Sequence, residues 1–320
     1  MAEFGYTLMC EQTGPNQLVD DAVRAEAAGF DFAVVSDHYN PWLPVQGHSP
    51  YAWSVLGAVA HVTRRMALMS FVTCPIRRYH PAVVAQKAAT VGVMSGGRFT
   101  LGLGAGENLN EHVVGAWPHV VQRHDMLVEA VEIIRSLLAG EPVSFSGEYF
   151  DVPEARLWDL PDEPVPIGIA VSGPHSARLA GRYADAMVAV EPKSELGDWL
   201  DAAGGTGRPR YGQVPVCYGP DEAHCRKLAH EQWRWGGLGW PVNAELPEPR
   251  SFDAATAKTR EEDVAELVPC GPDLDRHVRA VRAYLDAGFT HVALVQVGGD
   301  EQDEFLRFAE RELLPALRAR

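Results

Sequence analysis

Apolar residues fall in short runs, and the stretches between them carry apolar positions every three or four residues, almost from end to end of the chain. Phe4–Met9, Phe30–Ser36, Met66–Thr73, Phe99–Leu103, Pro166–Val171, Ala186–Val190, Tyr211–Tyr218 and His291–Val297 read as buried strands. Between them Asn16–Ala28, Tyr51–Val62, Pro81–Met94, Arg123–Ala139, Ser176–Tyr183, Ser194–Ala203, Asp221–Arg234 and Asp273–Ala287 have helical spacing, and Glu301–Arg318 forms a last helix. The punctuation agrees: Gly29 and Gly288 end helices, Pro81 occupies a first turn, and Ser95-Gly96-Gly97 is a turn. Two stretches have no clear period. Glu141–Pro164 is Pro-containing and reads as an irregular excursion over the surface; Gly236–Arg260, with Gly, Pro and Trp, reads as an inserted segment.

Buried strands that alternate with helices pair in parallel through crossover helices. Eight such units in one continuous run predict an α/β fold closed into a (β/α)8 TIM barrel, a single domain over 1–320 with insertions near 141–164 and 236–260 at the C-terminal face. With 320 residues, 46% hydrophobic and 22% charged, the chain can bury a large core unaided. Its net charge of −15 argues against nucleic acid and against an anionic membrane as partners. The five cysteines, Cys10, Cys74, Cys217, Cys225 and Cys270, include no CxxC, so neither a disulfide framework nor a zinc site is expected. The start, MAEFGYTLMC, has no signal-peptide pattern, and no run of 18 apolar residues occurs. The expectation is a cytoplasmic protein that binds no metal and acts on a small molecule.

A barrel of this kind carries its chemistry at the C-terminal ends of its strands. The second strand ends at Asp37-His38, with Trp42 beyond; His38 is a candidate acid or base, because imidazole titrates near neutrality. Neighbours on a strand point to opposite faces, so Asp37 and His38 share a pocket only if the strand has already turned there. The third strand ends at Thr73-Cys74-Pro75, and Cys74, with no basic neighbour, reads as packing. Gly102-Leu103-Gly104-Ala105-Gly106-Glu107 is not a nicotinamide fingerprint, since its sixth position is Glu107. Its glycines admit a flat ligand or pack a barrel corner tightly. Ser172-Gly173 leads into a helix N-terminus, which suits a phosphate or a plain cap. Lys193 follows the sixth strand and either holds a substrate anion or is a solvated surface lysine. Trp233, Trp235 and Trp240, with Trp42, Tyr51 and Trp53, wall a pocket or belong to the core. Arg64-Arg65 and Arg77-Arg78 read as solvated pairs.

These residues lie in longer stretches that together resemble a known family. VVSDHYNPW, QGHSPYAWSVLGAVA, RRYHPAVVAQKAAT, GRFTLGLGAGENLNEH, IAVSGPHSARLAGRYAD, VPCGPD and GFTHVALVQVGGD are similar to the luciferase-like superfamily of flavin and deazaflavin oxidoreductases. Within it, the chain resembles the coenzyme F420-dependent glucose-6-phosphate dehydrogenases over nearly its whole length. The resemblance implies the luciferase-like barrel and F420, a 5-deazaflavin that exchanges a hydride at C5. It implies His38 as the base for the substrate hydroxyl, Trp42 as a support for the charge beside it, and Glu107 as a proton partner near the deazaflavin N1. It implies a non-prolyl cis peptide around Phe71-Val72 against the ring, and Asp37, Ala105, Gly106, Asn110, Ser172 and Gly173 around the cofactor.

The substrate end departs from the pattern. Sugar-phosphate members use three cations on the phosphate. Lys193 matches the first, Lys258 or Arg260 falls near the second, and the third place reads Asp263-Val264-Ala265-Glu266-Leu267 with no arginine. The expected reaction is hydride transfer between C5 and the carbon of an alcohol, a sugar derivative or a carbonyl compound, glucose 6-phosphate being the less expected substrate. The alternatives are an FMN-dependent luciferase-like monooxygenase and a non-catalytic flavin- or deazaflavin-binding protein. By analogy with the family, the chain forms a homodimer.

Overall fold

The computed structural model describes residues 2–319. Its strands are β1 (Glu3–Leu8), β2 (Phe32–Val35), β3 (Ala67–Ser70), β4 (Phe99–Leu103), β5 (Val143–Ser146), β6 (Asp151–Ala155), β7 (Ile167–Ala170), β8 (Ala186–Ala189), β9 (Arg210–Val216) and β10 (His291–Gln296). Eight of them close a parallel barrel in the order β1-β10-β9-β8-β7-β4-β3-β2. β1 meets β10 from Glu3 opposite His291 and meets β2 from Gly5 opposite Phe32, so the sheet has no free edge. The fold is the (β/α)8 TIM barrel that the alternating pattern predicts.

Period-two alternation decides what each strand shows to the inside. Phe32, Val34, Met69, Phe71, Val188 and Ala293 fill the barrel interior, and Phe4, Tyr6, Leu8, Ala33 and Val35 pack outward with the helices. Burying each large interior side chain contributes roughly 1.5–3 kcal/mol. Gly5 faces the inside because an added Cβ would strike the Phe32 ring. The same alternation, carried past the strand ends, places Glu11 and His38 toward the mouth and Asp37 toward the helices.

Helices Pro15–Ala28, Ala52–Val62, Pro81–Ser95, Val120–Leu138, Pro174–Tyr183, Ser194–Leu200 and Leu274–Asp286 cover the barrel. The last helical stretch runs from Gln302–Phe308 through a wide turn to Leu314–Arg318. Two segments differ from the irregular structure expected of them. Within 141–164, β5 and β6 form an antiparallel hairpin. The Glu129 carboxylate accepts from the backbone N–H groups of Glu148, Tyr149 and Phe150, which pins the hairpin tip to the helix below. Its proline, Pro153, lies in this two-stranded ribbon, where an edge tolerates a missing donor. Between 234 and 265 the chain forms a turn at 234–238 and short helices Trp240–Asn243, Pro249–Ala255 and Glu261–Ala265. Helices this short carry no readable period.

Candidate active site

His38 stands at the mouth of the barrel between two carboxylates. Its Nδ1 lies 2.8 Å from Glu11 Oε1, and its Nε2 lies 3.6 Å from Glu107 Oε2. Glu11 is buried three residues beyond β1 and accepts from Ser36 Oγ at 2.6 Å, which in turn accepts from Cys10 N. Burial alone pulls the His38 imidazole down, but Glu11 and then Glu107 outweigh it and hold its pKa up at about 9. Burial likewise opposes the charge on Glu11, and His38 and Ser36 outweigh it and hold that carboxyl below its usual range. Glu107 is itself fixed by Asn110 Nδ2 at 2.9 Å, and Asn110 Oδ1 accepts from the backbone of Tyr39 and Asn40. The loop after β4 and the loop after β2 are thereby stitched into one unit. Trp42 completes the group, edge-on to His38 with centroids 5.0 Å apart.

Asp37 does not face this group. Its Oδ2 accepts from Trp53 Nε1 and Thr73 Oγ1, and its Oδ1 accepts from Tyr79 and Arg78. Arg78 also donates to the Asp37 carbonyl at 2.8 Å and to Glu111 Oε1 at 3.3 Å. The solvated reading of Arg77-Arg78 is therefore corrected at Arg78, whose side chain is only 9% exposed between two buried carboxylates. Burial pushes Glu111 up to about 7 against the pull of Arg78. Arg64 and Arg65 do lie exposed. Sequence reasoning missed both Glu11 and Arg78. A lone Glu just past an apolar strand, on the inward parity, is the signal that would have found Glu11.

The peptide bond Phe71–Val72 is cis. An added Cβ on Gly104 would meet Val72, and one on Gly102 would meet the Ser70 carbonyl, so these two glycines serve close packing of β4 on β3. Gly106 has φ +80°, and a Cβ there would meet Cys74 Sγ and Trp117. Cys74 is buried and burial drives its thiol upward, consistent with packing. At Ser172-Gly173 the cap is Ser176, not Ser172: Ser176 Oγ accepts from both backbone N–H groups. Gly173 is open, with nothing near an added Cβ. Ala105 is half-buried beside Gly106.

Each of the three candidate substrate cations is exposed, and two of them pair with a carboxylate close in sequence. Lys193 is 57% exposed and pairs with Glu191 at 3.1 Å. Arg260 pairs with Asp263 within the cap of its own short helix, and Lys258 is exposed. Trp42 and Trp233 are core residues, and the half-buried Trp235 stacks on Trp42. No group of three or more His, Cys, Asp or Glu able to hold a metal occurs among the described residues. No described helix is long and apolar enough to cross a membrane.

Residues 2–291 match the luciferase-like monooxygenase family. The chain belongs to that family. Among luciferase-like relatives, an F420-dependent glucose-6-phosphate dehydrogenase of Microbacterium testaceum is 38% identical, the match covering 99% of this chain and 98% of that one. A protein of the same name from Nakamurella multipartita is 39% identical over 99% and 96%. Among solved structures, an F420-dependent secondary alcohol dehydrogenase in complex with an F420–acetone adduct superposes with a TM-score of 0.89 at 30% identity, covering 99% of each chain.

Proposed function

We propose that this luciferase-like protein is an F420-dependent oxidoreductase that transfers hydride between the deazaflavin and the carbon of an alcohol or sugar. The observation that carries the reading is His38 held between Glu11 and Glu107 at the barrel mouth, in a chain whose relatives bear F420-dependent names. The residues fit such a cofactor: a left-handed turn at Gly106 and an open Gly173 lie past the ends of β4 and β7, neighbours in the barrel that also carries His38. When bound, F420 supplies the carbon that takes or gives the hydride.

His38 holds or moves the proton at the substrate oxygen through Nε2, while Glu11 orients the ring from Nδ1. Glu107 would lie by the cofactor ring, and Asn110 fixes its carboxylate. Trp42 supports the imidazolium edge-on. Ala105, Gly106, Ser172 and Gly173 would hold the cofactor, with Phe71 and Val72 toward its ring. Asp37 takes part at one remove, holding Thr73 and Arg78 in place. Lys193, Lys258 and Arg260 are the candidate contacts for an anionic substrate group. Their separate carboxylate pairing or exposure favours an uncharged alcohol or carbonyl compound over a sugar phosphate. A cytoplasmic homodimer accompanies this reading; five free, buried cysteines suit a reducing compartment.

Fluorescence titration with F420 and, in parallel, with FMN tests the cofactor. Tight binding of F420 alone is expected. Preference for FMN, with oxygen consumption, would overturn the reading in favour of a monooxygenase. F420 binding without turnover of alcohols, sugars or sugar phosphates would leave a binding protein.

A further inference from the structure

We infer that Glu245 is a positioning residue for the reacting centre: it clamps residues 235–252 over Trp42 and, through Asn108, fixes the backbone that presents Glu107. The inference rests on His38 and Glu107 being that centre.

The clamp has two feet. At the first, Trp235 lies flat on Trp42, with ring centroids 4.1 Å and planes 7° apart, and Phe252 meets Trp42 edge-on at 5.2 Å. Trp42 is the ring that touches His38. At the second, the Glu245 carboxylate accepts from Trp117 Nε1 at 3.1 Å and from Arg123 Nη2 at 2.7 Å. The guanidinium of Arg123 is buried and stacks over the Trp117 ring at 4.2 Å. The main chain follows the side chain: Asn108 N donates to the Ala244 carbonyl and Asn108 Nδ2 to the Glu245 carbonyl. Asn108 is bonded directly to Glu107. The Glu245 carboxylate thus fixes this segment to Trp117 and Arg123, while the main-chain carbonyls of Ala244 and Glu245 hold Asn108 next to Glu107, and the same segment carries the aromatic cover of Trp42.

The rest of this seam is poorly satisfied. Asn108 Oδ1, Asn243 Oδ1, Trp235 Nε1, and Arg123 Nε and Nη1 are all buried without hydrogen-bond partners. The specific contacts that hold it shut are few, and Glu245 takes part in three of them.

Hydrogen exchange on F420-mixed protein tests the clamp, comparing wild type with Glu245→Gln and Glu245→Ala. Amides across 239–246 and across 107–111 should exchange about tenfold faster in Glu245→Ala, with the barrel strands unchanged. Glu245→Gln keeps an acceptor for Trp117 but loses the charge facing Arg123, so its change should be smaller. With whichever of 2-propanol and glucose 6-phosphate the wild type oxidises, KM should rise about tenfold in Glu245→Ala while F420 affinity holds. Faster exchange confined to 239–246, with 107–111 unmoved, would overturn the proposal, as would a lowered melting temperature with KM and kcat intact. If the wild type oxidises neither compound, the exchange pattern alone decides. Failure to bind F420 would instead strike the proposed function and leave the exchange result standing.

Discussion

Asp37 and His38 are consecutive residues, both buried and both in contact with charged partners, yet their surroundings differ in kind. Around Asp37 each carboxylate oxygen has two donors, and Arg78 is shared with Glu111. Around His38, one carboxylate lies at 2.8 Å and the other at 3.6 Å. The first cluster is closed to chemistry, because its proton and charge positions are already taken. The second is strongly biased but incomplete, as a proton-transfer site must be. One step along a strand, which turns the side chain to the opposite face, separates a brace from the proposed reacting group.

The sharpest test removes the proposed reacting group. His38→Ala should lower turnover by about 10²–10⁴-fold while F420 binding is nearly unchanged, since general acid–base catalysis contributes on that order. Steady-state kinetics beside a fluorescence titration separates the two. Weakened cofactor binding with intact turnover would remove His38 from the chemistry.

The matching test breaks the brace. Arg78→Met leaves Asp37 and Glu111 buried without their shared cation, and removing one partner of a buried pair costs about 3–5 kcal/mol. Urea unfolding should show that loss. A loss below about 1 kcal/mol, the size of an exposed pair, would mean the cluster is not a brace at all.

Glu11→Gln should move a titration and make stability depend differently on pH. A base must be neutral to accept the alcohol proton, so oxidation should rise with pH up to about 9 in the wild type. Without the Glu11 charge the His38 pKa falls, and the limb moves to lower pH. The stability linkage has the same sign. The ion pair contributes fully below the unfolded histidine pKa of about 6.5 and is lost as pH rises through about 9, so the variant should lose stability mainly on the acidic side of that window. An unshifted pH–rate profile would separate Glu11 from the imidazole.

The barrel was legible because its eight strands are apolar runs, most of them close to a Gly or Pro, alternating with stretches of helical spacing. His38 and Glu107 were legible because they sit at strand ends within recognisable stretches. Glu11 lies three residues past β1 with no motif around it, and only the alternation through Gly5 to Glu11 reveals its direction. Arg78 was misread because adjacent arginines look the same whether solvated or buried; its partners, Asp37 and Glu111, are 41 and 33 residues away. The hairpin at 143–155 was hidden because its anchor, Glu129, belongs to a helix earlier in the chain.

The smallest test asks whether the brace has redundancy, as its doubled donors imply. Tyr79→Phe removes one hydroxyl, 3.2 Å from Asp37 Oδ1, and keeps the ring over which Lys87 Nζ sits 3.2 Å from the centroid. The same oxygen still accepts from Arg78, and Oδ2 still accepts from Trp53 and Thr73. The loss should therefore stay near the worth of one hydrogen bond, about 0.5–1.5 kcal/mol, with no change in the pH dependence of turnover. A loss several times larger would mean that Tyr79 carries the cluster and that the other donors depend on it. A shifted pH–rate profile would be more damaging, because Arg78 already acts on the His38 charge and the shift would show that the uncharged Tyr79 hydroxyl sets where that cation lies.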